Sequence, residues 1–174
     1  MSRKDKVISL SAIGLDSPGL VSKITTKVFE MTGNILDVEE NCRRGLFSIF
    51  LIIDFSSSTF SIDEIIHALR ALETETDLKV ILDIYKEQDV IYPAEKENHV
   101  VTILGLDQPG IIARISGFFH RYNINIEHCK MISRGNFFSM EMVIDTRGIR
   151  TDTNPSHNET IEKMKGELKD LCHG

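Results

Sequence analysis

No apolar run in the 174 residues reaches the roughly eighteen that a membrane-spanning helix needs, so no such helix is expected. Basic residues are also in deficit. Twenty Lys and Arg against 26 Asp and Glu leave a net charge of −6, with no Lys/Arg run of five or more. Direct binding to nucleic acid through a basic face is disfavoured. The N-terminal stretch MSRKDKVISLSAIGLD has some basic residues, but Ser interrupts its apolar part and Asp16 ends it, so it reads poorly as a signal peptide. Cysteine is scarce: Cys42, Cys129 and Cys172 form no CxxC pair and are odd in number. Reduced thiols and a cytoplasmic location are the simplest expectation. Catalytic signatures are missing as well. No GxSxG elbow, P-loop or GxGxxG occurs. His67, His99, His120, His128, His157 and His173 form neither HExxH nor a zinc-spaced pair with cysteine, so no metal and no cofactor is expected. Surface or structural roles follow for them. His128, which stands where Asp37 stands 91 residues earlier, is the one with a competing role, lining a pocket between domains.

What the chain does contain is a repeat. GLDSPG (Gly14–Gly19) returns as GLDQPG (Gly105–Gly110), and a shift of 91 residues aligns 7–54 with 98–145 without a gap. Identical pairs include Gly14/Gly105, Asp16/Asp107, Pro18/Pro109, Gly19/Gly110, Asn34/Asn125, Ile35/Ile126, Arg43/Arg134 and Phe47/Phe138. A unit this long exceeds solenoid repeats and reads as two tandem copies of one small domain. The expected boundaries are 1–86, a linker 87–98, and 99–174.

Periodicity orders the elements within each copy. Val7–Ile13 reads as a strand, and Leu20, Ile24, Val28 and Met31 recur at helical spacing, with Gly33 as the helix stop. Ile35–Cys42 and Leu46–Phe55 read as strands around an Arg43–Gly45 turn. Ile62, Ile65, Ile66, Leu69 and Leu72 predict one helix, begun by a Ser61–Glu64 capping box, and Leu78–Ile84 predicts a half-buried strand. The order βαββαβ predicts an α+β chain of two ferredoxin-like domains, each an antiparallel sheet with both helices on one face. In the second copy the strands are expected at Val100–Leu104, Ile126–Ile132 and Phe137–Asp145. In Phe137–Ile144 the inner face reads Phe138, Met140, Met142 and Ile144, and the outer face includes Ser139 and Glu141. Its helices carry Ile111, Ile115, Phe119 and Tyr122, then Ile161, Met164, Leu168 and Leu171. Its last strand is lacking, which leaves a sheet edge exposed. Either the chain is a fragment of a longer protein, the favoured expectation, or a strand from the linker or a second chain covers that edge. The outer positions Ser48, Phe50 and Ile52 are apolar enough to predict that the first sheet is covered by the other copy or by a partner subunit.

The loop between first strand and first helix has two readings. As scaffold, Pro18 and Pro109 fit the first helical turn, and Asp16, Ser17 or Asp107 cap free amides. As a site, the same free amides and the helix dipole suit a carboxylate, with Asp16 or Asp107 near a ligand's ammonium and Asn34 or Asn125 adding a contact.

With these motifs in view, GLDSPGLV…NIL and GLDQPGII…NIE, the chain resembles the ACT domain family in tandem over nearly its whole length. The resemblance implies a regulatory module that binds small amino acids at interfaces between paired domains, using the loop and a neighbouring second strand. By position it assigns Gly14, Leu15, Asp16, Pro18, Gly19, Asn34 and Ile35, and Gly105, Leu106, Asp107, Pro109, Gly110, Asn125 and Ile126. Serine or glycine is the implied ligand, a homodimer the implied assembly, and another protein the implied target. Tandem pairs resemble those of glycine cleavage system transcriptional repressors and those that precede the catalytic domain of some phosphoserine phosphatases. The alternatives are therefore the regulatory fragment of such an enzyme, or an assembly module without a ligand.

Overall fold

The computed structural model describes residues 6–85, 97–149 and 157–173, the side chains of 157–159 and 170–173 excepted. The expectations for Leu171 and Cys172, and those for most of the linker and of the Thr146–Asn158 loop, lie outside the described residues. The chain divides into two compact units, Met1–Ile91 and Tyr92–Gly174.

In the first unit the elements are β1 (Val7–Leu15), α1 (Leu20–Glu30), β2 (Asn34–Arg43), β3 (Leu46–Asp54), α2 (Ile62–Arg70), α3 (Leu72–Thr76) and β4 (Lys79–Ile84). The antiparallel sheet has the order β2-β3-β1-β4. Alternation drives it: Ile8, Leu10 and Ala12 of β1 and Phe47, Ile49, Leu51 and Ile53 of β3 face inward and are buried. Leu20, Ile24 and Val28 of α1 and Ile65 and Leu69 of α2 seal that face. The Ser61–Glu64 capping box is present. The single helix expected over Ile62–Leu72 is instead interrupted at Ala71, and Leu72 opens the short α3, where it is fully buried.

The second unit runs β5 (Asn98–Leu106), α4 (Ile111–Arg121), β6 (Asn125–Arg134), β7 (Phe137–Asp145) and α5 (His157–His173). The strand β5 thus begins at Asn98, the residue where the linker was expected to end. The sheet has three strands in the order β5-β7-β6. Phe138, Met140, Met142 and Ile144 point inward against Ile115, Phe119, Ile161 and Met164, as their spacing predicts. Where β1 pairs with β4 in the first unit, β5 has no such neighbour among the described residues. A groove of about 430 Å³ opens there between β5 and α5, lined by Val101, Ile103, Ile161, Met164 and Leu168.

Both helices that follow the glycine-rich loops end alike. Thr32 and Asn123 adopt a left-handed φ of 57°. The Gly33 N–H donates to Val28 C=O at 2.9 Å and the Ile124 N–H to Phe119 C=O at 3.0 Å, the outer bonds of a Schellman motif. Gly33 is therefore not the helix stop expected of it: Thr32 takes the left-handed position, and the small size of Gly33 is set by packing against the core.

Candidate functional site

The two glycine-rich loops are built the same way. In each, the N-cap of the following helix is a glycine, Gly19 with φ 92° or Gly110 with φ 83°, and no side chain caps the helix. Positive φ explains glycine at these positions, since an added Cβ would meet nothing within 4 Å. Two scaffold roles are corrected here. Pro18 and Pro109 precede the N-cap and so are not in the first helical turn. Asp16 and Asp107 lie three residues before the N-cap, too early to cap.

The carboxylates do something else. Cys42 Sγ donates to Asp16 Oδ2 at 3.0 Å, and Ser133 Oγ donates to Asp107 Oδ2 at 2.6 Å. Cys42 and Ser133 are equivalent in the repeat. The backbone adds a second tie: Asp16 N–H donates to Gly45 C=O at 2.9 Å, and Asp107 N–H to Asn136 C=O at 2.8 Å. Each loop is thus fastened to the far end of the second strand and to the hairpin turn beyond it. Sequence comparison passed over this pair because Cys and Ser differ in letter while both supply a donor to a carboxylate.

The hydrogen bond to Asp16 pushes the Cys42 thiol above its usual range, with slight burial and the charges of Asp16 and Glu40 adding to it. A thiol held protonated is a poor nucleophile. Asp16→Asn should therefore speed alkylation of Cys42 by iodoacetamide several-fold near pH 8. Mass-resolved labelling kinetics of Cys42 in the two proteins would check this.

No side chain caps the first amides of α1 and α4, which lie beside the loop at the positive end of the helix dipole, though the Ile111 N–H that opens α4 donates to Gln108 C=O at 3.3 Å. Neither helix has an acidic residue in its first turn. A basic residue stands one turn in: Lys23, whose Nζ reaches Glu75 C=O at 3.4 Å, and Arg114, whose Nη2 reaches Gln108 Oε1 at 3.4 Å across the loop. Amides, dipole and cation together suit a carboxylate. Arg114 was not among the residues singled out from sequence.

The remaining site residues do not converge within one unit. Asn34 pairs with Asp54, which pairs with Val7, at one end of the sheet. GLDSPG leaves β1 at Leu15, which pairs with Leu46, at the other end. Eight residues of antiparallel strand separate them by about 27 Å. Asn125 and Ile126 are placed the same way, beside Asp145 and Ile144 and away from GLDQPG. His128 is exposed on β6 opposite Val143, one residue after a bulge at Glu127 that repeats the bulge at Leu36. No group of three or more His, Cys, Asp or Glu able to hold a metal occurs among the described residues.

The outer face of the first sheet carries exposed Ile13, Leu15 and Phe50, while Ile52 is buried. The second sheet, whose outer face was expected to include Ser139 and Glu141, also exposes Val100, Leu104, Leu106 and Phe137 there. Among the described residues, no helix is long and apolar enough to cross a membrane.

Two ferredoxin-like units, each with a strand–GLDxPG–helix connection tied to its own second strand, define a class of small paired α+β modules. Family comparison specifies it. An ACT domain model matches residues 6–83 and another matches 99–173, so the chain belongs to the ACT domain family. Among curated relatives, a UPF0237 protein of Listeria monocytogenes is 32% identical over 79 residues, which are 45% of this chain and 86% of that protein. One from Pyrobaculum aerophilum is 35% identical over 66 residues, 38% of this chain and 73% of that protein. Both matches have the length of a single unit. Two solved structures span the tandem. A protein from Galdieria sulphuraria has a TM-score of 0.72 at 14% identity, covering 95% of this chain and 91% of that one. A structure assigned as a glycine cleavage system transcriptional repressor has a TM-score of 0.65 at 16% identity, covering 96% and 90%. At such identities the likeness is one of fold.

Proposed function

We propose that this chain is a non-catalytic, cytoplasmic regulatory module. In this reading it binds a small amino acid, serine or glycine, at an interface between ACT domains and acts through protein contacts. The observation that carries the reading is the repeated loop: uncapped helix amides behind a left-handed glycine, a cation one turn in, and a tether that holds the loop in place. The ligand's carboxylate would lie on the amides of α1 or α4, contacting Gly19 or Gly110 and the backbone of Gly14–Pro18 or Gly105–Pro109. Asp16 and Asp107, engaged by Cys42 and Ser133, keep their second oxygen for an ammonium group.

The separation of Asn34 from its own loop explains why a second domain is needed. When two second strands pair edge to edge in antiparallel fashion, the start of one lies beside the end of the other. Asn34 and Ile35, or Asn125 and Ile126, then reach the loop of a neighbour. Binding would favour the paired state by its differential affinity, which is how the ligand regulates. Asn34→Ala with Asn125→Ala should weaken serine or glycine binding about tenfold or more, because each removes a ligand hydrogen bond. Both residues are exposed, so unfolding temperature should hardly move. Titration calorimetry beside a melting curve checks both halves, and unchanged affinity would count against the shared site.

The apolar outer faces favour a second reading, an assembly module without a ligand. It predicts an oligomer whose mass and affinity ignore added amino acids.

A further inference from the structure

The two edge strands that would meet in such a pairing are not alike in charge. Strand β2 is bonded only to β3, and β6 only to β7, so each offers an open edge among the described residues. On β2 the exposed run is Asp37, Val38, Glu39 and Glu40. The equivalent residues of β6 are His128, Cys129, Lys130 and Met131. Each acid in the first copy is thus replaced by a base or a neutral residue in the second. Equivalent registers and equivalent bulges place these side chains identically on their two sheets.

Geometry then limits how the edges combine. The Val38 N–H donates to Oδ1 of the adjoining Asp37 at 2.9 Å, so this amide is turned to the open edge and not toward β3. Alternation turns the Glu40 amide the same way, and the repeat does so for Cys129 and Met131. Antiparallel pairing through these amides can set Val38 against Met131 and Glu40 against Cys129. Glu39 then lies directly opposite Lys130, and Asp37 is diagonal to it. Pairing β2 with a second β2 would put Asp37 and Glu39 against the same acids, and β6 with β6 would oppose Lys130 to His128 or Lys130. Directly opposed like charges destabilise a sheet, and opposed unlike charges stabilise it.

We infer that the charged edges select unlike pairing: β2 of one chain joins β6 of a second copy, and β6 joins that copy's β2. The contact is reciprocal, as a closed two-fold dimer requires. This rests on the proposed site completed by a neighbouring strand, and it names the partner surface and the residues that choose it. It also predicts four mixed sites per dimer, two at each contact, each with a GLDxPG loop from one copy and the Asn-Ile of the other.

Sedimentation of the full chain with Glu39→Lys, Lys130→Glu and their mixture tests the inference. Wild type should be a dimer. Each single variant opposes like charges at both contacts and should dissociate about tenfold more readily at low salt, where such charges are least screened. Mixing the two variants restores unlike charges at both contacts of a heterodimer, once in the native sense and once reversed. That heterodimer should form with near wild-type affinity. A monomeric wild type, or a mixture no tighter than its parts, overturns the inference. Amino-acid binding measured on the same samples separates the claims. Binding that persists without a charge-matched dimer leaves the proposed function standing and removes this pairing. A charge-matched dimer that binds no amino acid does the reverse.

Discussion

Gly33→Ala should destabilise the first unit by about 3 kcal/mol, the upper end of what overpacking a core costs. A Cβ at Gly33 would lie 2.5 Å from Phe55 Cε1, 2.8 Å from Val28 Cγ1 and 3.0 Å from Ile53 Cγ2. All three side chains are essentially inaccessible to solvent, so none can swing aside without moving the core. In a domain of this size the midpoint should fall by more than about 10 °C. The neighbouring change has the opposite sign. Thr32 is β-branched at φ 57°, a conformation that costs an L-residue roughly 1–2 kcal/mol. Thr32→Gly should therefore stabilise by about 1 kcal/mol, after allowing for the greater freedom of glycine in the unfolded chain. Thermal or urea unfolding of the two variants checks both. A neutral Gly33→Ala would mean that Phe55 is not packed as described.

Gly19→Ala together with Gly110→Ala should cost the protein its amino-acid binding while leaving its cores intact. The reason differs from that at Gly33. Nothing stands within 4 Å of either Cβ, so no packing is lost. Alanine must instead hold φ in the positive range or turn the loop to negative φ, and either course costs about 1–2 kcal/mol per site. Relaxation to negative φ swings the first helix amides away from the place where a carboxylate would lie. Affinity for serine or glycine should fall by more than about tenfold, whereas unfolding changes only by the strain. Calorimetric titration with a parallel melting curve measures both. Equal loss of affinity and of folded protein would point to scaffold alone.

These two glycines show what was legible in the sequence. The repeat fixed the order of elements, and alternation at Phe138, Met140, Met142 and Ile144 named the inner face of β7 correctly. GLDxPG was rightly placed between strand and helix. The function of its parts was harder to read. Asp16 looked like a cap because capping is what aspartate does next to a helix, yet the left-handed Gly19 takes the N-cap and leaves the carboxylate to Cys42. That bond spans 26 residues and changes from thiol to hydroxyl in the second copy, so no spacing rule exposes it. The bulges at Leu36 and Glu127 are hidden for a related reason: one extra residue reverses the alternation, and nothing in ILDV or IEHC marks which residue is extra. The break at Ala71 escaped because Leu72 keeps helical spacing across it. The distance between Asn34 and the loop could not be seen until the strands were paired. On the proposed reading, it is this distance that calls for a loop and an Asn-Ile from two different domains.

The central claim is that the repeated loop holds a small amino acid. It is tested most directly by thermal unfolding of the full chain against each of the twenty amino acids at millimolar concentration. A ligand at ten times its Kd adds about 1.4 kcal/mol to the folded state, worth roughly 6 °C in a unit of this size. The account predicts a dose-dependent rise with serine or glycine that disappears in the Gly19→Ala, Gly110→Ala protein. A flat response to all twenty would contradict it.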